Sequence, residues 1–330
     1  MTEIIPGVYQ LKVPIPNNPL ENTNVYLIRA DDGHTLIDAG WNGETALQSL
    51  SSQLSEIGVR FQDISQIVVT HAHHDHYGLA GRLRELSGAR IALHERDQEF
   101  LTPRHVSMEE FADEMEHWFR SNGVPESELP ATRMFAAMRS TGAAVLPDVT
   151  LNDGDTISAG DFNLHVIWTP GHSPGHICAY EPTQKILFAG DHVLPVITPN
   201  VSLQPHSVHN PLADFLSSLK KVRELDVELV LPAHEHLFND LPKRVDEIIY
   251  HHELRNLEIL AALESEAMTA YRAAAHVTWM PELGGARLEE LAPMDRRMAV
   301  SETLAHLEAM RVDGRVARAS RDDTVYYQRT

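Results

Sequence analysis

With 330 residues, 43% of them hydrophobic and 22% charged, the chain has ordinary globular composition and exceeds what one hydrophobic core usually serves, so one large domain with a small appendage is expected. Its 27 Lys and Arg stand against 47 Asp and Glu, a formal charge of -20 that repels phosphate backbones and anionic lipid and disfavours nucleic acid as a partner. Cys178, the single cysteine, excludes an intrachain disulfide and reads as a small strand residue; with no signal-peptide pattern and no apolar stretch of membrane-spanning length, the expected setting is the cytoplasm.

Short β-rich runs at residues 24–30, 34–38, 66–70 and 90–93 alternate with helical stretches at 43–57 and 78–87, which predicts an α/β fold. A second set of strands follows at 162–168, 176–180, 185–189 and 227–231, the last after a helix that Asn210 caps with Pro211 at its first position. Between these two halves, residues 95–147 read as a helical insertion. Its first helix has a capping-box pattern from Ser107 to Glu110 and sets Phe111, Met115, Trp118 and Phe119 on one face. That stripe is either core packing or a lid over the active site, with Met134, Phe135 and Met138 as further apolar candidates. From residue 246 long helical patterns lead to two short strands at 315–319 and 324–328, the order of a winged helix.

The chemistry concentrates in His71-Ala72-His73-His74-Asp75-His76, directly after the apolar run Ile67-Val68-Val69-Thr70. Side chains there emerge at the C-terminal end of a strand, where α/β folds place their sites. Three further apolar runs each end in a metal-ligand type: Thr169-Pro170-Gly171-His172, Phe188-Ala189-Gly190-Asp191 and Leu231-Pro232-Ala233-His234. Neutral imidazole and carboxylate suit zinc, and a pair of ions needs about this many ligands together with a shared carboxylate and a water.

This pattern, His-x-His-x-Asp-His followed by His, Asp and His, resembles the metallo-β-lactamase superfamily over roughly residues 1–245. The resemblance implies a four-layer αβ/βα sandwich with two divalent ions per chain, zinc foremost and iron or manganese as other options. His71, His73 and His172 would bind the first, Asp75, His76 and His234 the second, and Asp191 would bridge them. Asp38 matches a position behind the ligands that fixes one by hydrogen bonding. His74 and His176 have the wrong offsets for ligands and read as structural, whereas His192, His206, His209 and His236 flank ligands on loops expected to face the cleft. The C-terminal part, 246–330, resembles the winged-helix appendage of a β-lactamase-like, glyoxalase II-like branch. Its last stretch is too weakly basic for a nucleic-acid wing, so a packing or homodimerisation module is expected.

These readings predict a metal-dependent hydrolase that uses a hydroxide shared by two ions, with Asp75 relaying its proton, on a small-molecule thioester, ester or lactone. Three alternatives remain open from sequence: a metal-dependent phosphodiesterase or ribonuclease, a mononuclear iron persulfide dioxygenase, and a non-enzymatic DNA-binding regulator.

Overall fold

The computed structural model describes residues 1–101, 108–130, 145–205, 207 and 209–330. The expectations placed on Ser107, Met134, Phe135, Met138 and His206 lie outside these residues. The chain divides into two compact units: Met1–Thr102, Ala144–Pro199 and Ser218–Val245 form the first, and Pro103–Ala143, Asn200–Ser217 and Asp246–Thr330 form the second.

In the first unit β1 (Thr2–Ile5), β2 (Val8–Pro14), β3 (Asn22–Ile28), β4 (His34–Ile37), β5 (Ile64–Val68), β6 (Arg90–His94) and β7 (Val149–Leu151) lie in sequence order in one sheet. The first four strands are antiparallel, and the steps from β4 to β7 are parallel. Parallel steps require crossovers, here α1 (Glu44–Glu56) and α3 (Ala80–Ser87), with the short α2 (His74–Tyr77) before the latter; α4 (Glu95–Leu101) follows β6. A second sheet runs β12-β11-β10-β9-β8, from β8 (Thr156–Ala159), β9 (Phe162–Trp168), β10 (Ile177–Glu181), β11 (Ile186–Gly190) and β12 (Leu229–Pro232).

Burial of both sheet faces explains why β3 is apolar at consecutive positions from Val25 to Ile28. In β3, Val25 and Leu27 point to a core shared with Leu47, Leu50 and Leu54 of α1, while Tyr26 and Ile28 point to a second core shared with Val166, Phe188 and Leu231 of the other sheet. Both faces are therefore buried, the condition that produces continuous apolar runs. Tyr26 and Phe188 meet edge to face across the sheets at 5.5 Å. Cys178, on β10, is fully buried, and burial pushes its thiol up to about 12, as an inert structural residue requires. From the C-terminal part of α6 (Pro211–Arg223), the Ser218 hydroxyl donates to the Pro170 carbonyl and the Lys221 ammonium to that of Trp168.

The second unit contains α5 (Met108–Ser121), most of α7 (Leu241–Ala262), α8 (Ala270–Ala274), α9 (Pro293–Val312) and the hairpin of β13 (Val316–Arg321) with β14 (Thr324–Arg329). The hairpin turns on Asp322 and Asp323, at φ 47 and 63, a two-residue turn whose positive φ angles match strand twist. Met115 and Phe119 of α5 are buried among Ile259, Leu263, Leu304 and Tyr327, with Phe111 and Trp118 partly buried against them. The apolar stripe of the insertion thus packs into a core, which accounts for its spacing without a lid. Among the described residues no helix is long and apolar enough to cross a membrane.

Candidate metal centre

The seven predicted ligands all lie in the first unit, each just beyond the C-terminal end of a strand or on the turn of helix that follows β5. His71 leaves β5, and His73 directly precedes α2, whose single turn carries Asp75 and His76. His172 follows β9, Asp191 follows β11, and His234 follows β12. Gly190 makes the turn before Asp191 at φ +52, and a Cβ there would stand 2.6 Å from His176 Nε2, so both conformation and space demand glycine.

Three overlapping groups of ligand atoms converge: His71, His73 and His172; His71, His76 and Asp191; and Asp75, His76 and His234. His73 Nδ1 faces His71 Nε2 at 2.8 Å and His172 Nε2 at 3.0 Å. Asp75 Oδ2 lies 3.6 Å from His76 Nε2 and 3.4 Å from His234 Nε2. Asp191 stands between the groups. Its Oδ2 is 3.5 Å from both His172 and His76, and its Oδ1 is 3.3 Å from His234.

The outer nitrogens are held so that the inner ones keep their lone pairs. His76 Nδ1 donates to Asp38 Oδ2 at 2.8 Å, and His234 Nδ1 to the Asn22 carbonyl at 3.0 Å. The Thr70 hydroxyl donates to Asp38 at 3.0 Å and accepts from His71 Nδ1 at 3.1 Å. Asp38 sits at φ 64, a left-handed conformation that Asp tolerates better than most residues, and its Oδ1 also accepts from the Thr70 amide at 2.8 Å. It therefore fixes one expected ligand directly and a second through Thr70. His176 accepts the Asp191 amide on Nε2 at 3.1 Å, while its Nδ1 donates to the Thr169 hydroxyl at 2.8 Å. It supports the backbone of an expected ligand, in keeping with the structural reading of its offset.

Burial and charge act together on this cluster. Burial lowers His71, and lowers His73 to about 3, with the neighbouring imidazoles adding to the effect. Burial alone would raise Asp75 and Asp191, but His76 and His234 outweigh it and hold both carboxylates low. Burial would likewise depress His76 and His234, yet the carboxylates raise both, His234 to about 10. Cations are what this arrangement favours. The fit to metal is seen in His76 Nε2, His234 Nε2 and Asp191 Oδ1, which are buried without a hydrogen-bond partner; a bound ion would satisfy all three.

Sequence reasoning missed Asp97, on α4. Its buried carboxylate accepts from the Ala72 amide at 2.7 Å, the Ser173 hydroxyl at 2.9 Å and the Gly175 amide at 2.6 Å. It thereby ties the loop of His71 and His73 to the loop of His172. Gly175 is needed for this approach, since a Cβ there would meet the Asp97 amide nitrogen at 2.4 Å. Nothing local in Glu95-Arg96-Asp97 signals the role, because its partners are 25 to 78 residues away.

The flanking histidines separate. His192, expected on a cleft-facing loop, is fully buried with its ring 5.8 Å from that of His176, and burial lowers it to about 3. The chain turns it inward as it leaves β11, which corrects the expectation. His209 and His236 are exposed, and His74 packs edge-on against Trp41 at 6.1 Å, outside the converging groups.

Comparison with known proteins agrees with this geometry. The family model for the metallo-beta-lactamase superfamily matches residues 18–234. A probable metallo-hydrolase, YqjP, of Bacillus subtilis is 24% identical over 325 residues, 97% of each chain. The acyl-coenzyme A thioesterase MBLAC2 of Homo sapiens is 31% identical over 228 residues, 65% of this chain and 74% of that protein. The crystal structure of a metallo-beta-lactamase family protein from Thermus thermophilus superposes with a TM-score of 0.81 at 33% identity, covering 99% of this chain and 100% of that one. With the motif, the sheet order and the converging imidazoles and carboxylates in agreement with these matches, the chain belongs to the metallo-beta-lactamase superfamily and is a metal-dependent hydrolase.

Proposed function

We propose that the protein hydrolyses a small-molecule thioester, with esters and lactones as related substrates, at a pair of divalent ions bridged by Asp191. The observation that carries this reading is the place of the Asp191 carboxylate between the two ligand groups, with Oδ2 3.5 Å from both His172 and His76 and Oδ1 3.3 Å from His234. His71, His73 and His172 would hold one ion, and Asp75, His76 and His234 the other. The imidazole and carboxylate donors suit zinc. The thioester preference rests on the relative named as an acyl-coenzyme A thioesterase, while a chain charge of -20 disfavours a nucleic-acid phosphodiester. Residues 246–330 we read as a winged-helix-like module for packing or homodimerisation, in a protein of the cytoplasm.

Two ions held by this set would supply a hydroxide at neutral pH and polarise the scissile carbonyl. Asp75 would orient that nucleophile and relay its proton to the departing thiolate; its side chain is 20% exposed against 10% for Asp191, so it is the carboxylate open to a reacting group. Held low by His76 and His234, it is ionised, the form that binds a cation. Asp38 and Thr70 keep His76 and His71 in the tautomers that leave Nε2 free, and Asp97 holds the two first-ion loops at a fixed separation.

The test is hydrolysis by purified, zinc-loaded protein of acyl thioesters, lactones, a cephalosporin and a phosphodiester. The expected result is fastest turnover of thioesters, lost on chelation and restored by zinc. A preference for the phosphodiester, or a single iron per chain with oxygen consumption, would overturn it.

A further inference from the structure

The second unit contains another buried group of ligand-type side chains that the proposed hydrolysis does not use. His252 lies on α7, while Glu302 and His306, four residues apart and so on one face, lie on α9; all three are buried. One ligand atom from each lies within 4.8 Å of the others. The family model ends at residue 234, so none of the three belongs to the matched region.

His306 and Glu302 are held by neighbouring side chains. Asn256 Nδ2 donates to Glu253 Oε2 at 3.2 Å, which turns Asn256 Oδ1 to accept from His306 Nδ1 at 2.8 Å. His306 Nε2 is therefore a lone pair, and it faces His252 Nδ1 at 3.3 Å. Glu302 Oε1 accepts from Arg255 at 2.8 Å and Oε2 from Asn200 Nδ2 at 2.9 Å, while the Arg255 guanidinium lies 4.2 Å from the Trp279 ring centroid. Fixing the far nitrogen of a histidine, as Asn256 does for His306, is the usual outer support of a metal ligand. The facing nitrogens are spaced like the edge of a tetrahedron with Zn–N bonds of about 2.0 Å, which is about 3.3 Å. As hydrogen bonds alone, the relay from Glu253 through Asn256 and His306 ends at His252 Nε2, a buried nitrogen with no partner among the described residues. A cation on the facing nitrogens His252 Nδ1 and His306 Nε2 would replace the hydrogen bond between them, with Glu302 as the third donor.

We propose that His252, Glu302 and His306 bind one structural divalent cation, zinc by donor type, that pins α7 to α9 within the second unit. Arg255 already neutralises part of the Glu302 charge, so this ion binds more weakly than those of the His71 centre.

The test uses the full chain, stripped, reloaded with zinc and freed of excess by gel filtration, with zinc per chain measured for the wild type, His252→Phe and Glu302→Gln. Each variant is expected to retain one zinc fewer than the wild type, with thioester turnover within two-fold. A variant with His73, Asp75, His172 and His234 all replaced by alanine is expected to keep one zinc and to melt higher when zinc is added. Equal zinc in the wild type and both second-unit variants overturns the proposal. So does a four-fold alanine variant that binds none, and that variant decides the question alone if the others fail to fold.

Discussion

Replacing Asp97 probes how the two loops of the first ion site are held together. Asp97→Ala removes three accepted hydrogen bonds and leaves the buried amides of Ala72 and Gly175 without a partner. At about 1–3 kcal/mol for each orphaned donor, the expected loss of stability is about 2–6 kcal/mol, reduced by relief of the buried carboxylate, whose pKa burial raises. Asp97→Asn keeps one acceptor oxygen but turns an amide NH2 toward another donor, for a loss of about 1–3 kcal/mol. Denaturant melts give the stabilities, and competition with a chromogenic chelator gives metal affinity. Weakening by about 10–100-fold is expected in the alanine variant, as for other residues that support ligands from behind. Lower stability with unchanged metal affinity would refute the positioning role, because it would make Asp97 a fold residue only.

Asp75→Asn is expected to lower kcat by about 10²–10⁴-fold with little change in melting temperature, since an amide cannot take the proton; activity within a few-fold of wild type would remove Asp75 from the mechanism. Met115→Ala is expected to cost about 2–5 kcal/mol of stability without altering preference for acyl chain length, because Met115 is buried in the second unit's core. A shift in chain-length preference measured across a thioester series would restore the lid reading for this helix.

What was legible in the sequence was local. The expected ligands fall within a few residues of one another or directly after apolar runs, so strand ends and side-chain types could be read together. Asp38 was legible only through the family resemblance, which implies a carboxylate behind the ligands. Asp97 was not, because its partners reach it only through the packing of α4 beside the His71 and His172 loops. The direction in which a chain leaves a strand was also hidden: His192 and His236 both follow expected ligands, yet one is fully buried and the other exposed. The stripe on α5 was visible as spacing, but only tertiary contacts with Ile259 and Leu304 decide that it packs into a core. His252 and His306 escaped notice because 54 residues separate them on two helices.

The central claim is that Asp191 joins two ions in one hydrolytic centre. Crystals of zinc-loaded protein measured on both sides of the zinc absorption edge test it most directly. The account predicts two anomalous peaks about 3.5–4 Å apart, one beside His71, His73 and His172, the other beside Asp75, His76 and His234, with an Asp191 oxygen on each. A single peak in this centre, or two with Asp191 bound to only one, would contradict it.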